Sequence, residues 1–201
     1  MTEKQDSNRE GTDEALMVRY QRGDRNALAI IVKRYARPVY ATAYWITGNV
    51  TAAAEAAQNA FLALVGQAGS FHIEMRFRSW LYGFLHQLLT SRFQTDLRVL
   101  DSTNPGALPS NAENTEMDPA HHGTRASRSQ LVSRRVAECV ESLPPLEREA
   151  IVMKLVAQLT LAELSAAIGA DGDTTRARLR YAFDRLRESV SDTEDYARAL
   201  R

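Results

Sequence analysis

Arg176, Arg178, Arg180, Arg185 and Arg187 fall in one short stretch towards the C-terminal end of the chain, beside Asp171, Asp173, Asp184 and Glu188. A guanidinium is a planar fork of donors that matches a phosphate or the O6/N7 edge of guanine, so such a run can do nucleic-acid chemistry. On a helix at about 100° per residue, Thr175, Leu179, Ala182, Phe183, Leu186 and Val190 gather within about 60° of one direction and make a core face. Thr174, Ala177, Tyr181 and Asp184 then point outward, with Arg176 and Arg180 along one flank and Arg178 and Arg185 along the other. That suits a helix laid in the major groove between two phosphate rails. Thr174 would bond a base edge or phosphate, Ala177 would meet a thymine methyl, Arg176 would read a guanine edge, and Arg180 and Arg178 would hold opposite phosphates. Thr175 belongs to both sets, since it opens the core face and stands in the DNA-facing first turn. The same mixture of acids and bases also suits a solvated helix, so charge alone leaves both readings open.

The residues in front of this helix favour the DNA reading. Leu161, Leu164, Ala167 and Ile168 keep helical spacing, stop at Gly169, and the pattern resumes at Thr175. Gly169 stands where a helix exit needs a left-handed residue, and Asp171 or Asp173 can cap the following helix by accepting from its free N–H groups. Two short helices across a tight turn make a helix-turn-helix.

A second set of chemically suggestive residues lies in the first half. In FHIEMRFRSWLYGFLHQLLTSRF, the residues Phe77, Trp80, Leu81, Phe84, Leu85 and Leu88 form a core stripe, while Phe71, His72, Arg76, Arg78 and Tyr82 lie before or beside it. Cations interleaved with flat rings can hold a separated DNA strand through phosphate contact and base stacking. Arginine at an aromatic core edge is also ordinary packing.

The elements that must position these groups are helices throughout. Leu16, Met17 and Tyr20 make a short stripe ending at Gly23, and Asp24 can cap a longer helix carrying Leu28, Ile31, Val32, Tyr35, Val39, Ala43 and Ile46, with Pro38 expected to kink or loosen it. Thr51 is expected to cap an alanine-rich helix whose side Ala57, Phe61, Leu64 and Val65 faces inward. Residues 99–130 hold Pro105, Pro109 and Pro119 among Ser, Asn, Thr and Gly, with no apolar period, and read as a flexible linker. Leu131, Val132, Val136, Val140 and Leu143 then start a second group, and Pro144 and Pro145 break the chain and begin the next helix. The expectation is all-α: a disordered 1–12, a helical domain at 13–98, the linker 99–130, a four-helix domain with the helix-turn-helix at 131–190, and a polar tail at 191–201, the two domains moving independently.

Lys plus Arg and Asp plus Glu number 25 each, so no global basic field exists and DNA affinity must come from local patches or a partner. The single Cys139 excludes an internal disulfide, fits a reducing compartment, and by its spacing with Val136 and Leu143 is a core thiol. The opening MTEKQDSNREGTDE has no apolar core, so neither a signal peptide nor a membrane insertion is expected, and the protein is placed in the cytoplasm. No phosphate loop, metal-ligand cluster or nucleophile setting is present, so no enzyme activity, cofactor or metal is expected, the pair His121 and His122 lacking a third ligand.

Taken in order, these parts resemble the extracytoplasmic-function sigma factors of bacterial RNA polymerase. DEALMVRYQRGDRNALAIIVKRYARPVYATAYWITGN is similar to the family's opening helices, AEAAQNAFLALV to its polymerase-binding helix, FRSWLYGFLHQLL to its promoter-melting segment, and SLPPLEREAIVMKLVAQLTLAELSAAIG to its second module. The resemblance implies a dissociable subunit that binds core RNA polymerase through Glu55, Gln58 and Asn59. It implies that the first module reads and melts the downstream promoter element with Phe71, Arg76, Arg78, Tyr82 and Gln87. The second would read the upstream element as duplex with Thr174, Thr175, Arg176, Ala177, Arg178 and Arg180, and an anti-sigma factor is a further implied partner. The chain departs from the family pattern at Asn59, where an acid is usual, at His86, Gln87 and Ser91 in the melting helix, and at Ala170, Gly172 and Thr175 in the turn. Those departures leave open a second reading, a sigma-like protein that binds polymerase or an anti-sigma factor without supporting initiation.

Overall fold

Thr12 accepts the Ala15 N–H and so starts helix α1 (Asp13–Gln21), which ends in a turn through Gly23 at φ 98°. Asp24 caps the next helix by accepting the Asn26 N–H at 3.0 Å on Oδ1, and its Oδ2 accepts both Nε and Nη2 of Arg19, which holds its carboxyl below the usual range. Helix α2 (Arg25–Thr47) buries Ala27, Ile31, Tyr35, Val39, Thr42, Ala43 and Ile46, a stripe of period three to four. It runs through Pro38 as one helix, and the Thr42 hydroxyl donates to the Pro38 carbonyl. Gly48, left-handed at φ 66°, closes it. The cap of α3 (Val50–Gly66) is Asn49, which accepts the Ala52 N–H at 2.8 Å; the expected cap Thr51 lies inside the helix, because Asn49, immediately before its first residue, already satisfies a free donor of the first turn.

The structure, a computed structural model, describes residues 11–102 and 128–199. Ala52, Ala53, Ala56, Ala57 and Ala60 give α3 a small-residue face that lets it pack closely on α2. Val65, expected inward, is 42% exposed, because that alanine face and Leu64 already fill the contact. After a 3₁₀ turn (Ala68–Ser70), Gln21 Nε2 donates to the carbonyls of Ala68 and Phe71 and fixes the entry to α4 (Phe77–Ser102). The first free N–H of α4, on Phe77, is taken by the Glu14 carboxylate at 3.1 Å. Phe71, Tyr35, Phe77, Trp80 and Phe84 form a chain of tilted and edge-on ring contacts with centroids 4.8–6.4 Å apart, the centre of the first module's core.

The second module is α5 (Arg128–Ser142), α6 (Pro145–Leu155), α7 (Leu161–Ile168) and α8 (Gly172–Ala199). Pro145 takes the helix-start position its ring suits. Thr160 and Glu163 form a reciprocal capping box at the start of α7, and Gly169 at φ 62° ends it. Buried Cys139, Val140, Leu143, Ile151, Met153, Leu164, Leu179 and Ala182 make the interior. Phe183, expected on the core face, is 39% exposed: Ala182 and Leu179 are the residues of α8 buried there, and Phe183 falls at the rim. Helix α8 is long, and it absorbs the tail from Ser191 as far as Ala199.

Helix also takes up both ends of the expected linker, since α4 reaches Ser102 and α5 begins at Arg128. Residues 1–10 and 103–127, with Pro105, Pro109, Pro119, His121 and His122, lie outside the described residues. The two modules, expected to move independently, are docked in this structure: α7 packs on α4 more extensively than on α8, α2 touches α6, and one apolar cluster runs through both.

Candidate nucleic-acid interface

The first turn of α8 is built by Asp171. Its carboxylate accepts the Thr174 N–H at 2.8 Å, the Thr174 hydroxyl at 2.7 Å and the Asp173 N–H at 2.9 Å, and these donors hold it below the usual carboxylate range. Of the two caps the sequence offered, Asp171 is the one used. Thr174, Arg176, Ala177, Arg180, Tyr181 and Asp184 are exposed and Arg178 is half-buried, so the outward face is the one its period predicts. Thr175 is corrected: it is wholly buried, its hydroxyl accepting from Ser165 at 2.9 Å and donating to the Asp171 carbonyl at 2.8 Å. That chain of bonds fixes the angle between α7 and α8 and keeps Thr175 from any external ligand.

The cations of α8 are unequal. Arg176 pairs with Asp173 at 2.6 Å, Arg185 with Glu188 at 2.9 Å and Arg187 with Asp184 at 3.2 Å, all three pairs well exposed. Among the described residues Arg178 and Arg180 make no ion pair, and they are the guanidinium groups ready to meet phosphate. Thr174 is constrained as well. With its proton given to Asp171, its hydroxyl can only accept, which suits an amino group on a base edge and not a phosphate oxygen.

The set expected around the downstream element divides. Phe71 and Tyr82 are corrected to core, at 2% and 1% exposure, and burial pushes the Tyr82 phenol up to about 12. Phe71 is held by Phe77 and Trp80, and Tyr82 widens the buried arc of α4 beyond one stripe because α4 is covered on two sides. Arg76 and Gln87 are exposed. Arg78 is engaged by the second module, donating to the Ala157 carbonyl and lying 3.7 Å from the Glu163 carboxylate. Burial works to raise Glu163, but the Thr160 N–H and hydroxyl, then the charges of Arg78 and Arg76, outweigh it and hold the carboxyl below its usual range. A cleft of about 700 Å³ opens between the modules, lined by Arg76 just before α4, by Trp80, Phe84 and Gln87 of α4 and by Ala162 and Ala166 of α7.

The outer face of α3 carries Glu55, Gln58 and Asn59, all exposed, with Glu55 paired to Arg92 at 3.2 Å. Leu62, at 59% exposure, stands one turn on from Gln58 and Asn59. Sequence reasoning passed over it, although a leucine outside the alanine stripe was the available signal. It also passed over the pair His86 and Glu149, whose Nδ1 and Oε1 lie 2.8 Å apart across the module boundary, a contact no local pattern could reveal. Among the described residues no group of His, Cys, Asp and Glu could hold a metal ion, and no helix is long and apolar enough to cross a membrane.

Two family descriptions match the chain in order: Sigma-70 region 2 over residues 31–98, and Sigma-70 region 4 over residues 139–188. The ECF RNA polymerase sigma factor SigW of Bacillus subtilis is 26% identical over 174 residues, spanning 86% of this chain and 93% of its own. The ECF RNA polymerase sigma-E factor of Escherichia coli is 27% identical over 187 residues, spanning 90% and 93%. CnrH, solved in complex with the cytosolic domain of CnrY, shares the fold with a TM-score of 0.64 at 20% identity, over 90% of this chain and 97% of that one. The sigma factor RpoE of Bartonella quintana, solved with the anti-sigma factor NepR, does so with a TM-score of 0.65 at 18% identity, over 82% and 96%.

Proposed function

The chain belongs to the extracytoplasmic-function sigma factors of RNA polymerase, and from that membership we propose how its particular residues divide the work. The protein binds core RNA polymerase and directs promoter-specific initiation. It acts in the cytoplasm as a transcription initiation factor without catalysis or cofactor of its own, and an anti-sigma factor is its natural antagonist. The observation that carries the assignment is order: region 2 falls on α2 to α4 and region 4 on α5 to α8, the same elements that present the α3 face and the recognition helix.

Glu55, Gln58 and Asn59 contact polymerase with Leu62 as the apolar centre of the patch. Arg76, Arg78 and Gln87 follow the downstream element, with Trp80 at the cleft edge as the ring for a base to stack on. Thr174, Arg176, Ala177, Arg178 and Arg180 read the upstream element, Arg176 exchanging its exposed partner Asp173 for a base edge. An exposed pair of this kind contributes little, so the exchange is cheap. Zero net charge fits the arrangement, because a subunit whose DNA affinity is completed by polymerase does not lodge on non-specific duplex.

The second reading, a sigma-like protein without initiation activity, is favoured by one structural observation, the burial of Phe71 and Tyr82, beside the sequence departure at Gln87. Run-off transcription with core polymerase separates the two. Promoter-dependent transcript is expected from the wild type, and a chain doubly substituted Glu55→Lys and Gln58→Ala should lose polymerase capture with unchanged circular dichroism. Polymerase capture with no transcript from any promoter would leave the second reading standing.

A further inference from the structure

We propose that the outer ridge of α2, made of Lys33, Arg37, Tyr40 and Tyr44, is a further DNA contact of the first module and holds promoter phosphates without reading sequence. This rests on the initiation reading only for the presence of DNA. The ridge begins in composition: α2 carries Arg25, Lys33, Arg34 and Arg37 and no acid, in a chain whose acids and bases are equal in number. The four ridge residues follow one another at intervals of four, three and four. They therefore stand in line on one side of the helix, roughly opposite the buried Ile31, Tyr35, Val39 and Ile46. Lys33, Arg37 and Tyr44 are exposed and Tyr40 is half-buried. Arg34, beside them, is already neutralised by Asp13. Among the described residues none of the four ridge side chains makes a hydrogen bond or an ion pair, so four donor groups are left without a partner within the protein.

Donors alone select an anion, and the length of the ridge selects a polymer. From residue 33 to residue 44 it runs about 16 Å, a length along which one DNA strand presents about five phosphates. Lysine and arginine neutralise phosphate, and tyrosine hydroxyls commonly donate to it. The rings of Tyr40 and Tyr44 lie nearly parallel, with centroids 6.4 Å and planes 13° apart, so each limits the other's rotation and less freedom is lost on contact. An acidic protein surface fits less well, because the centre of a protein interface is depleted of charge and carries large apolar anchors, whereas Arg37 and Ala41 occupy the middle of this face. An anionic membrane fits less well again. Surface binding needs an apolar face to sink among the headgroups, and the apolar face of α2 is taken up by the core. The ridge thus adds affinity and leaves the choice of promoter to the residues already described. Two charges are too few to hold duplex on their own at physiological salt, so the ridge acts once polymerase has brought the chain to DNA.

The test uses holoenzyme assembled from the full chain, and DNA fragments that the wild type retains from a random library. Lys33→Ala combined with Arg37→Ala should weaken binding several-fold on every retained fragment. The plot of log affinity against log salt should become shallower by about two, with polymerase capture and circular dichroism unchanged. Arg134→Ala removes an exposed cation of α5 that is already paired with Glu138, and should leave the slope as it is. A photo-crosslinking p-azidophenylalanine in place of Tyr44 should label the DNA. An unchanged slope in the double variant overturns the proposal, and so does a label found on polymerase alone. Loss of polymerase capture in the double variant overturns it by making the ridge a polymerase contact. Retention of the free chain on phosphatidylserine vesicles, lost in the double variant, overturns it in favour of a lipid surface. A wild-type holoenzyme that retains no fragment removes both the ridge contact and the initiation reading. Slope and label as expected, with no transcript from any retained fragment, leave the ridge standing and count against the initiation reading instead.

Discussion

At the scale of single residues, Arg176 and Arg180 sit one turn apart on the same flank of α8 yet differ in partner. Arg176 is tied to Asp173 at the start of the helix, where base edges come within reach, whereas Arg180, further along, makes no ion pair among the described residues. Losing a base-reading arginine costs about 1–3 kcal/mol and relaxes one position, while losing a phosphate contact weakens all sequences alike and lowers the salt slope by about one. Arg176→Ala is therefore expected to change the preference among upstream elements in a holoenzyme library assay, and Arg180→Ala to weaken all of them together; an unchanged profile and affinity for Arg176→Ala would assign this helix to plain solvated surface. The outward face of α8 was legible because the helical period separates it from Leu179 and Ala182. Thr175 was not, since a threonine at a helix start is as suited to a base edge as to the Ser165 bond it makes. Phe71 precedes α4, so no period gave it a phase, and Tyr82 lies outside the predicted stripe of a helix whose buried arc is widened by packing from more than one neighbour.

Among elements, the boundaries were the readable part, and the reason is chemical: caps are local. Gly48, Gly169, Asp24 and Pro145 act where their types predict, while Thr51 lost its role to Asn49 two residues earlier. Exposure of Val65 and Phe183 was not readable, because an apolar residue at the rim of a stripe is buried or not according to the size of its neighbour across the contact. The turn of the helix-turn-helix offers a paired test. Gly169 is left-handed at φ 62°, where a Cβ costs roughly 1–2 kcal/mol, so Gly169→Ala should lower the urea midpoint accordingly. Gly172→Ala is the control: its φ is ordinary, its Cβ would meet only the movable Arg176 side chain at 3.7 Å, and stability should hold or rise. Equal losses at both positions would show that crowding, and not backbone handedness, governs this turn.

For the whole molecule, two modules and their order were legible because each has its own apolar period, while their docking was not, since His86 with Glu149 and Arg78 with Glu163 are separated by tens of residues and by a boundary. Docking through two helix pairs, a shared apolar cluster and a few polar contacts has to satisfy two opposing demands. It must persist in the free chain, and it must yield to polymerase. A covalent connection reconciles them, because joining two modules raises the concentration each sees of the other to the order of millimolar, so a contact far too weak to assemble separate pieces stays closed within one chain. Residues 103–127 supply that connection whatever conformation they take, and the proline-rich composition there makes them the expected site of first cleavage by a protease. The uncut chain should therefore elute as a compact species. The same chain nicked between 103 and 127 should separate into its two halves at micromolar concentration, each still helical. Halves that remain together on dilution to nanomolar would mean a seam too strong to be released on polymerase, and the docked form would then be the permanent architecture of the protein.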